Sequence, residues 1–154
     1  MQLVRQAGGE AGGCHDEAVA VVQRLGIADR VGFIGATEDV PSLLAGAALL
    51  LHPSAYESFG IAVFEAMAAG VPPVCAAGRA VTACAEFATD GESAMFVDFD
   101  RAAEAAGRIR ALLLDPEERA RRGAAARVAA ARLLERDYVA TFRAEVLDPL
   151  RDRP

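Results

Sequence analysis

Lysine is missing from this sequence: every basic side chain is arginine, and the acids outnumber them to give a net charge of -6. Nonspecific nucleic-acid binding needs a basic footprint, so a nucleic-acid partner is not expected. Cysteine is scarce, with only Cys14, Cys75 and Cys84. An odd set without metal-ligand spacing makes neither a disulfide framework nor a zinc site, and reads as buried or incidental thiols of a reducing compartment. No apolar run approaches the roughly 20 residues of a membrane span, so no transmembrane segment is expected. The opening Met1-Gln2-Leu3-Val4-Arg5-Gln6 lacks a signal-peptide core, which makes the expected location cytoplasmic. There is also no internal period and no linker composition.

What remains is a chain of 154 residues with 53% hydrophobic content, long enough for one domain with a sizeable core. The elements alternate. Asp16 to Leu25 reads as a helix ended by Gly26, Arg30 to Ile34 as a strand, and Asp39 to Ala45 as a short helix. Ala48 to His52 follows as a strand, Ile61 to Ala69 as a helix closed by Gly70, and Pro73 to Ala76 as a strand. Thr82 to Ala88 reads as a short helix and Ala94 to Asp98 as the last strand. Such alternation predicts an α/β fold, a Rossmann-like parallel sheet with helices on both faces. Past Asp100 the texture becomes Ala- and Arg-rich helix. Asp115-Pro116-Glu117-Glu118 supplies an N-cap, a proline at the first helical position and acids in the first turn, so one helix should end near Leu114 and another begin at Pro116. A last helix carrying Tyr138, Phe142 and Val146 should follow Asp137. The expected organisation is a single domain over 1–154, with an α/β core over 1–100 and C-terminal helices over 101–154. Arg119, Arg121, Arg122 and Arg127 form the densest basic stretch, and among so many alanines and acids they read as a solvated helix face.

The most informative stretch is His52-Pro53-Ser54-Ala55-Tyr56-Glu57-Ser58-Phe59-Gly60-Ile61-Ala62-Val63-Phe64-Glu65-Ala66-Met67-Ala68-Ala69-Gly70-Val71-Pro72. Leu49-Leu50-Leu51 reads as a buried strand and Pro53-Ser54 as its exit, which puts Glu57 on a strand-to-helix loop at the carboxyl edge of the sheet. Open α/β proteins bind ligands at that edge, and a helix N-terminus there offers free N–H groups to anions. On one ideal helix, Glu57 and Glu65 would stand roughly 80° apart in azimuth and about 12 Å apart along the axis. That is too far for one metal ion, and it exceeds the roughly 5 to 10 Å at which paired carboxylates flank a glycosidic bond. Two separate anchors for hydroxyl groups, one on each side of an anion-binding helix start, fit the spacing.

The run E-S-F-G-I-A-V-F-E-A-M-A-A-G-V-P, preceded by H-P-S, resembles the signature of the retaining nucleotide-sugar glycosyltransferases of the GT-B fold, the "group 1" family. The resemblance extends along most of the chain. Leu3-Val4 with Gly8-Gly9 looks like the family's second C-domain strand, Val31-Gly32-Phe33-Ile34-Gly35 like its V-x-F-x-G strand near the nucleobase, and Thr89-Asp90-Gly91-Glu92-Ser93-Ala94 like its D-G-x-x-G turn, with Ala94 in place of the usual glycine. By resemblance, Glu57 contacts donor-sugar hydroxyls and Glu65 the nucleotide ribose, while the backbone of Ser58, Phe59, Gly60 and Ile61 approaches the sugar and the diphosphate. No metal and no cofactor beyond the nucleotide-diphosphate sugar donor is implied. Alternatives stand beside these roles: Ser58 as a helix cap, Gly60 as relief of crowding, Phe59 as a packing residue and Glu57 as a loop acid capping the next helix. His52 is expected to be a neutral imidazole hydrogen-bonded to backbone rather than a base. Glu86 lies near the family's G-G-x-x-E segment, but Thr82-Ala83 replace the glycines, and Glu86 is left out of the site.

The resemblance also implies what this sequence does not include. The family's N-terminal acceptor domain, and the first C-domain strand with the Arg and Lys that neutralise the donor diphosphate, have no counterpart. The expected function is therefore the donor-binding domain of a retaining hexosyltransferase whose acceptor is unknown. It would need the acceptor domain or a partner chain, and would show little transfer alone. The alternative is a nucleotide-sugar-binding or assembly module that has lost catalysis. A flavodoxin-like regulatory domain is disfavoured because no acidic cluster marks a first strand.

Overall fold

A computed structural model describes residues 3–5, 12–77, 81–137, 140–141 and 143–144. The chain divides into two compact units, Met1–Val40 and Pro41–Pro154. In the first, strand β1 (Leu3–Arg5) pairs in parallel with β2 (Val31–Phe33), with Leu3 opposite Val31 and Arg5 opposite Phe33. The connection runs through helix α1 (Gly12–Arg24), which starts four residues earlier than its amphipathic pattern suggests, and Gly26 follows it with φ of 64°. Gly8-Gly9 lie outside the described residues.

The second unit holds the long motif. After helix α2 (Val40–Ala45) come β3 (Leu50–His52), β4 (Tyr56–Glu57), α3 (Ile61–Ala69), β5 (Pro73–Ala76), β6 (Val81–Thr82), β7 (Met95–Val97), α4 (Ala102–Leu114) and α5 (Pro116–Leu134). Strands β3, β5 and β7 form a parallel sheet with β5 central, His52 lying opposite Cys75 and Cys75 opposite Phe96. All four residues of β5 are buried, as a central parallel strand covered on both faces requires.

Strand alternation shows which helix covers which face. Val74, Met95 and Val97 point to one side and pack with Ala105 and Leu112 of α4. Cys75 points to the other, into a cluster with Val63 and Met67 of α3 and Ala126 and Ala130 of α5. Adjacent residues of a strand face opposite ways, so Val74 and Cys75 anchor two cores. With α4 on one face of the parallel sheet and α3 and α5 on the other, this unit is α/β. Val63 and Met67 are fully buried, each contributing about 1.5–3 kcal/mol by removal from water.

Two expectations change. Thr82 was expected to begin a helix, yet Val81–Thr82 is a strand paired with Tyr56–Glu57, and only a 3-10 turn over Ala83–Glu86 follows. Pairing with β4 satisfies backbone groups that a helix start would leave open. The arginines of α5 are also only in part a solvated face: Arg121 and Arg127 are exposed, Arg119 and Arg122 half-buried, and all four donate to backbone carbonyls. Arg121 donates to the Gly91 carbonyl at 2.8 Å, Arg122 to that of Ala94 at 2.7 Å, Arg127 to that of Ala69 at 2.8 Å, and Arg119 to that of Leu113. They tie α5 to loop and helix ends, Arg122 being only 13% exposed. The cap is as expected: Asp115 accepts from the Glu118 N–H at 2.9 Å, with Pro116 opening the helix. The helix expected after Asp137 falls mostly on residues outside those described.

Candidate functional site

Helix α3 is preceded by its N-cap residue Gly60, whose φ of 89° is left-handed, and among the described residues no side chain caps the helix start. The first N–H groups of a helix have no partner within it, so this start offers free donors at the carboxyl edge of the sheet, just beyond β3 and β4. Glycine is required at position 60 for two reasons. The backbone angle disfavours any side chain, and an added Cβ would stand 2.5 Å from Cys84 Sγ. Cys84 itself donates weakly to the Phe59 carbonyl, at 3.7 Å. Of the two open readings of Gly60, relief of crowding is thus present in the fold. At the far end Gly70, with φ of 76°, closes α3 as the sequence predicts.

Glu57 lies at the end of the short strand β4, not in a free loop as expected, because the chain after Pro53-Ser54 extends and pairs with β6. One carboxylate oxygen, Oε1, accepts from the Phe59 N–H at 3.4 Å. The other, Oε2, lies 3.3 Å from Nε2 of His52. The backbone N–H of Phe59 is the main influence holding the Glu57 carboxyl below its usual pKa; burial opposes it, while the N–H groups of Gly60 and Ser58 and the His52 ring add to it. Glu57 is therefore an anion aimed along its own loop, an arrangement that keeps the capping alternative alive beside the ligand role. His52 also differs from expectation: its Nε2 meets Glu57 rather than a backbone group, and none of the described residues gives that nitrogen a hydrogen bond.

Glu65 is half-buried on α3, one turn in, with no hydrogen bond or ion pair among the described residues. Ile61 opens the helix 66% exposed. Ser58 is exposed and does not cap α3, which removes one of its alternatives. Phe59 does pack, its ring 5.4 Å from Phe87 and 6.2 Å from Phe64, yet it stays 42% exposed.

Ser58 and Phe59 also border a recess of about 240 Å³, with Glu86, Phe87, Leu133 and Arg136 around it. Glu86, set aside on sequence grounds, thus comes beside two of the expected site residues. Its only signal was proximity to a degenerate motif, and the C-terminal end of α5 gave none. The turn over Thr89–Ala94 forms with Gly91 at φ 78°. Ala94 is fully buried there without a positive φ, so the missing glycine costs the turn nothing. Burial pushes the Cys75 thiol up to about 12 and raises that of Cys84, so neither is a nucleophile. No group of three or more His, Cys, Asp or Glu side chains among the described residues is placed to hold a metal ion, and no described helix is long and apolar enough to cross a membrane.

A parallel sheet with helices on both faces and a helix start at its carboxyl edge defines an α/β fold of the kind whose ligands, where it has them, sit beyond the carboxyl ends of the strands. The family model "Glycosyl transferases group 1" matches residues 7–129, and the chain belongs to that family. It is 43% identical over 53 residues to the lipopolysaccharide glucosyltransferase WaaG of Escherichia coli, a match covering 34% of this chain and 14% of that protein. It is 41% identical over 76 residues to a D-inositol 3-phosphate glycosyltransferase of Mycobacterium sp. (strain KMS), covering 46% and 17%. Among solved structures, Anabaena HepE in complex with UDP and glucose superimposes with a TM-score of 0.76 at 27% identity, over 99% of this chain and 41% of that one. Sucrose-phosphate synthase from Thermosynechococcus elongatus gives 0.80 at 26% identity, over 97% and 38%. The chain thus spans well under half the length of these relatives, and corresponds to the C-terminal half of a GT-B fold.

Proposed function

We propose that this chain is the donor-binding domain of a retaining glycosyltransferase that transfers a hexose from a nucleotide-diphosphate sugar. The observation that carries the reading is the start of α3, with left-handed Gly60, no side-chain cap, and Glu57 and Glu65 on either side. The donor diphosphate lies at the N–H groups that begin with Ile61, where the helix dipole favours negative charge. Glu65 accepts from the ribose hydroxyls. Glu57, already an anion, accepts from the sugar hydroxyls, and the backbone of Ser58, Phe59 and Gly60 closes around the sugar. Loss of the nucleoside diphosphate builds charge on phosphate oxygens, and donors fixed at the helix start stabilise it as it forms. No metal takes part in this scheme. The acceptor is held by a separate domain or partner chain, so transfer needs that part as well as this one. Support comes from family membership, and from the neighbour HepE, whose structure contains UDP and glucose.

An NMR titration of the chain with uridine or guanosine diphosphate tests the donor site. Amide shifts should centre on Ser58 to Glu65; shifts confined to residues beyond Asp100, or none at millimolar ligand, refute it. Glu65→Ala should weaken the bare nucleotide more than Glu57→Ala does, while the full donor feels both. If donor binds but no transfer appears after the acceptor part is restored, the non-catalytic binding module is the correct reading.

A further inference from the structure

His52 closes β3 with its ring 14% exposed and its Nε2 sealed from solvent, 3.3 Å from Glu57 Oε2 and without a hydrogen bond from any described residue. Buried polar atoms are nearly always paired, because an unmet one keeps the full cost of losing water. The partner within reach is the carboxylate already held at Oε1 by the Phe59 N–H. We propose that His52 is a positioning residue for Glu57: its Nε2–H donates to Oε2 and fixes the carboxylate in the orientation that receives donor-sugar hydroxyls. This rests on the donor-site reading above.

The two partners are unequal in freedom. His52 is set by the β3–β5 ladder, where it lies opposite fully buried Cys75. Glu57 ends a two-residue strand, and its terminal carboxylate torsion is broad, so a rotation of that group aligns the contact into a hydrogen bond. A carboxylate has about four lone-pair sites, so one held at both oxygens can still accept from ligand hydroxyls. Pre-ordering it removes rotamer freedom that the sugar would otherwise have to quench. The ring must then carry its proton on Nε2, leaving Nδ1 as an acceptor.

Titration calorimetry on the intact chain, with UDP and UDP-glucose as probes, separates positioning from a merely structural role. His52→Ala should weaken UDP-glucose about tenfold while leaving UDP within about twofold, and His52→Gln, which keeps an N–H near the same reach, should recover most of the loss. Equal losses for the two probes, or no recovery with glutamine, overturn the proposal. Long-range proton–nitrogen NMR on the unmodified chain should show the Nε2–H tautomer of His52, and this preference should weaken in Glu57→Ala. If the unmodified chain binds neither probe, the donor-site reading fails and the proposal falls with it. If it binds UDP-glucose but His52 is the Nδ1–H tautomer, only the proposal fails.

Discussion

Replacing Gly60 by alanine should destabilise the protein through two separable effects. The left-handed backbone, φ 89°, costs an L-residue roughly 1–2 kcal/mol. The new methyl would also stand 2.5 Å from Cys84 Sγ, so the sulfur or the loop has to give way by about 1 Å to restore ordinary contact. Cys84 is fully buried in the cluster with Val63 and Met67, which leaves it little room, and overpacking of this kind costs about 1–3 kcal/mol. Together the loss is about 2–5 kcal/mol, a large part of the roughly 5–15 kcal/mol typical of a domain. Cys84→Ala removes the sulfur and leaves the backbone angle untouched. In that background Gly60→Ala should cost only the conformational part, giving a favourable coupling of about 1–3 kcal/mol in a double-mutant cycle. Urea denaturation of the four proteins, compared at constant m-value, measures it. Strictly additive effects would refute the claim that Cys84 is what makes glycine necessary at this site.

Three further outcomes concern the C-terminal helices α4 and α5. Gly123→Ala should destabilise, because its Cβ would run into the Gly70 carbonyl oxygen, whereas Gly107→Ala in α4, where no described atom lies within 4 Å of the added Cβ, should stabilise; thermal unfolding distinguishes them. The expected changes are about 1–3 kcal/mol lost for the first and roughly 0.5–1 kcal/mol gained for the second. Arg122→Gln removes charge-assisted hydrogen bonds to Ala94 and Glu118 and should cost about 1.5–3 kcal/mol by denaturant titration, while an unchanged midpoint would return Arg122 to the solvated face. Hydrogen bonds from Arg121 and then Arg122 lower the Glu118 carboxyl to about 2. Because the folded pKa is depressed, its stabilisation is present above the unfolded value of about 4.3 and fades as pH falls toward 2. Unfolding measured across that window should be less acid-sensitive in Glu118→Gln; parallel pH profiles would refute the linkage.

Local chemistry was readable wherever one residue type settles a backbone state. Helix Ile61–Ala69 with its glycine closure, strand Pro73–Ala76, and the break at Asp115-Pro116 all stand where the sequence places them. Apolar periodicity, an N-cap before proline and a left-handed glycine act within a few residues, so they leave a local trace. The helix that carries Glu65 was legible by the same logic, whereas Glu57 lies on strand β4, where helix spacing does not set its position. The pairing of Tyr56–Glu57 with Val81–Thr82 was not legible: two-residue strands carry almost no pattern, and their existence depends on a partner far along the chain.

By itself, then, the sequence determined the α/β class, the helix that starts the candidate site and the family resemblance that membership upholds. Only the tertiary structure decided that Glu57 lies against His52, that Gly60 is needed because Cys84 packs behind it, and that the arginines of α5 bind distant carbonyl groups. Each of these joins side chains or backbone set by different elements. A contact of that kind depends on how the chain closes on itself, and no local periodicity records it.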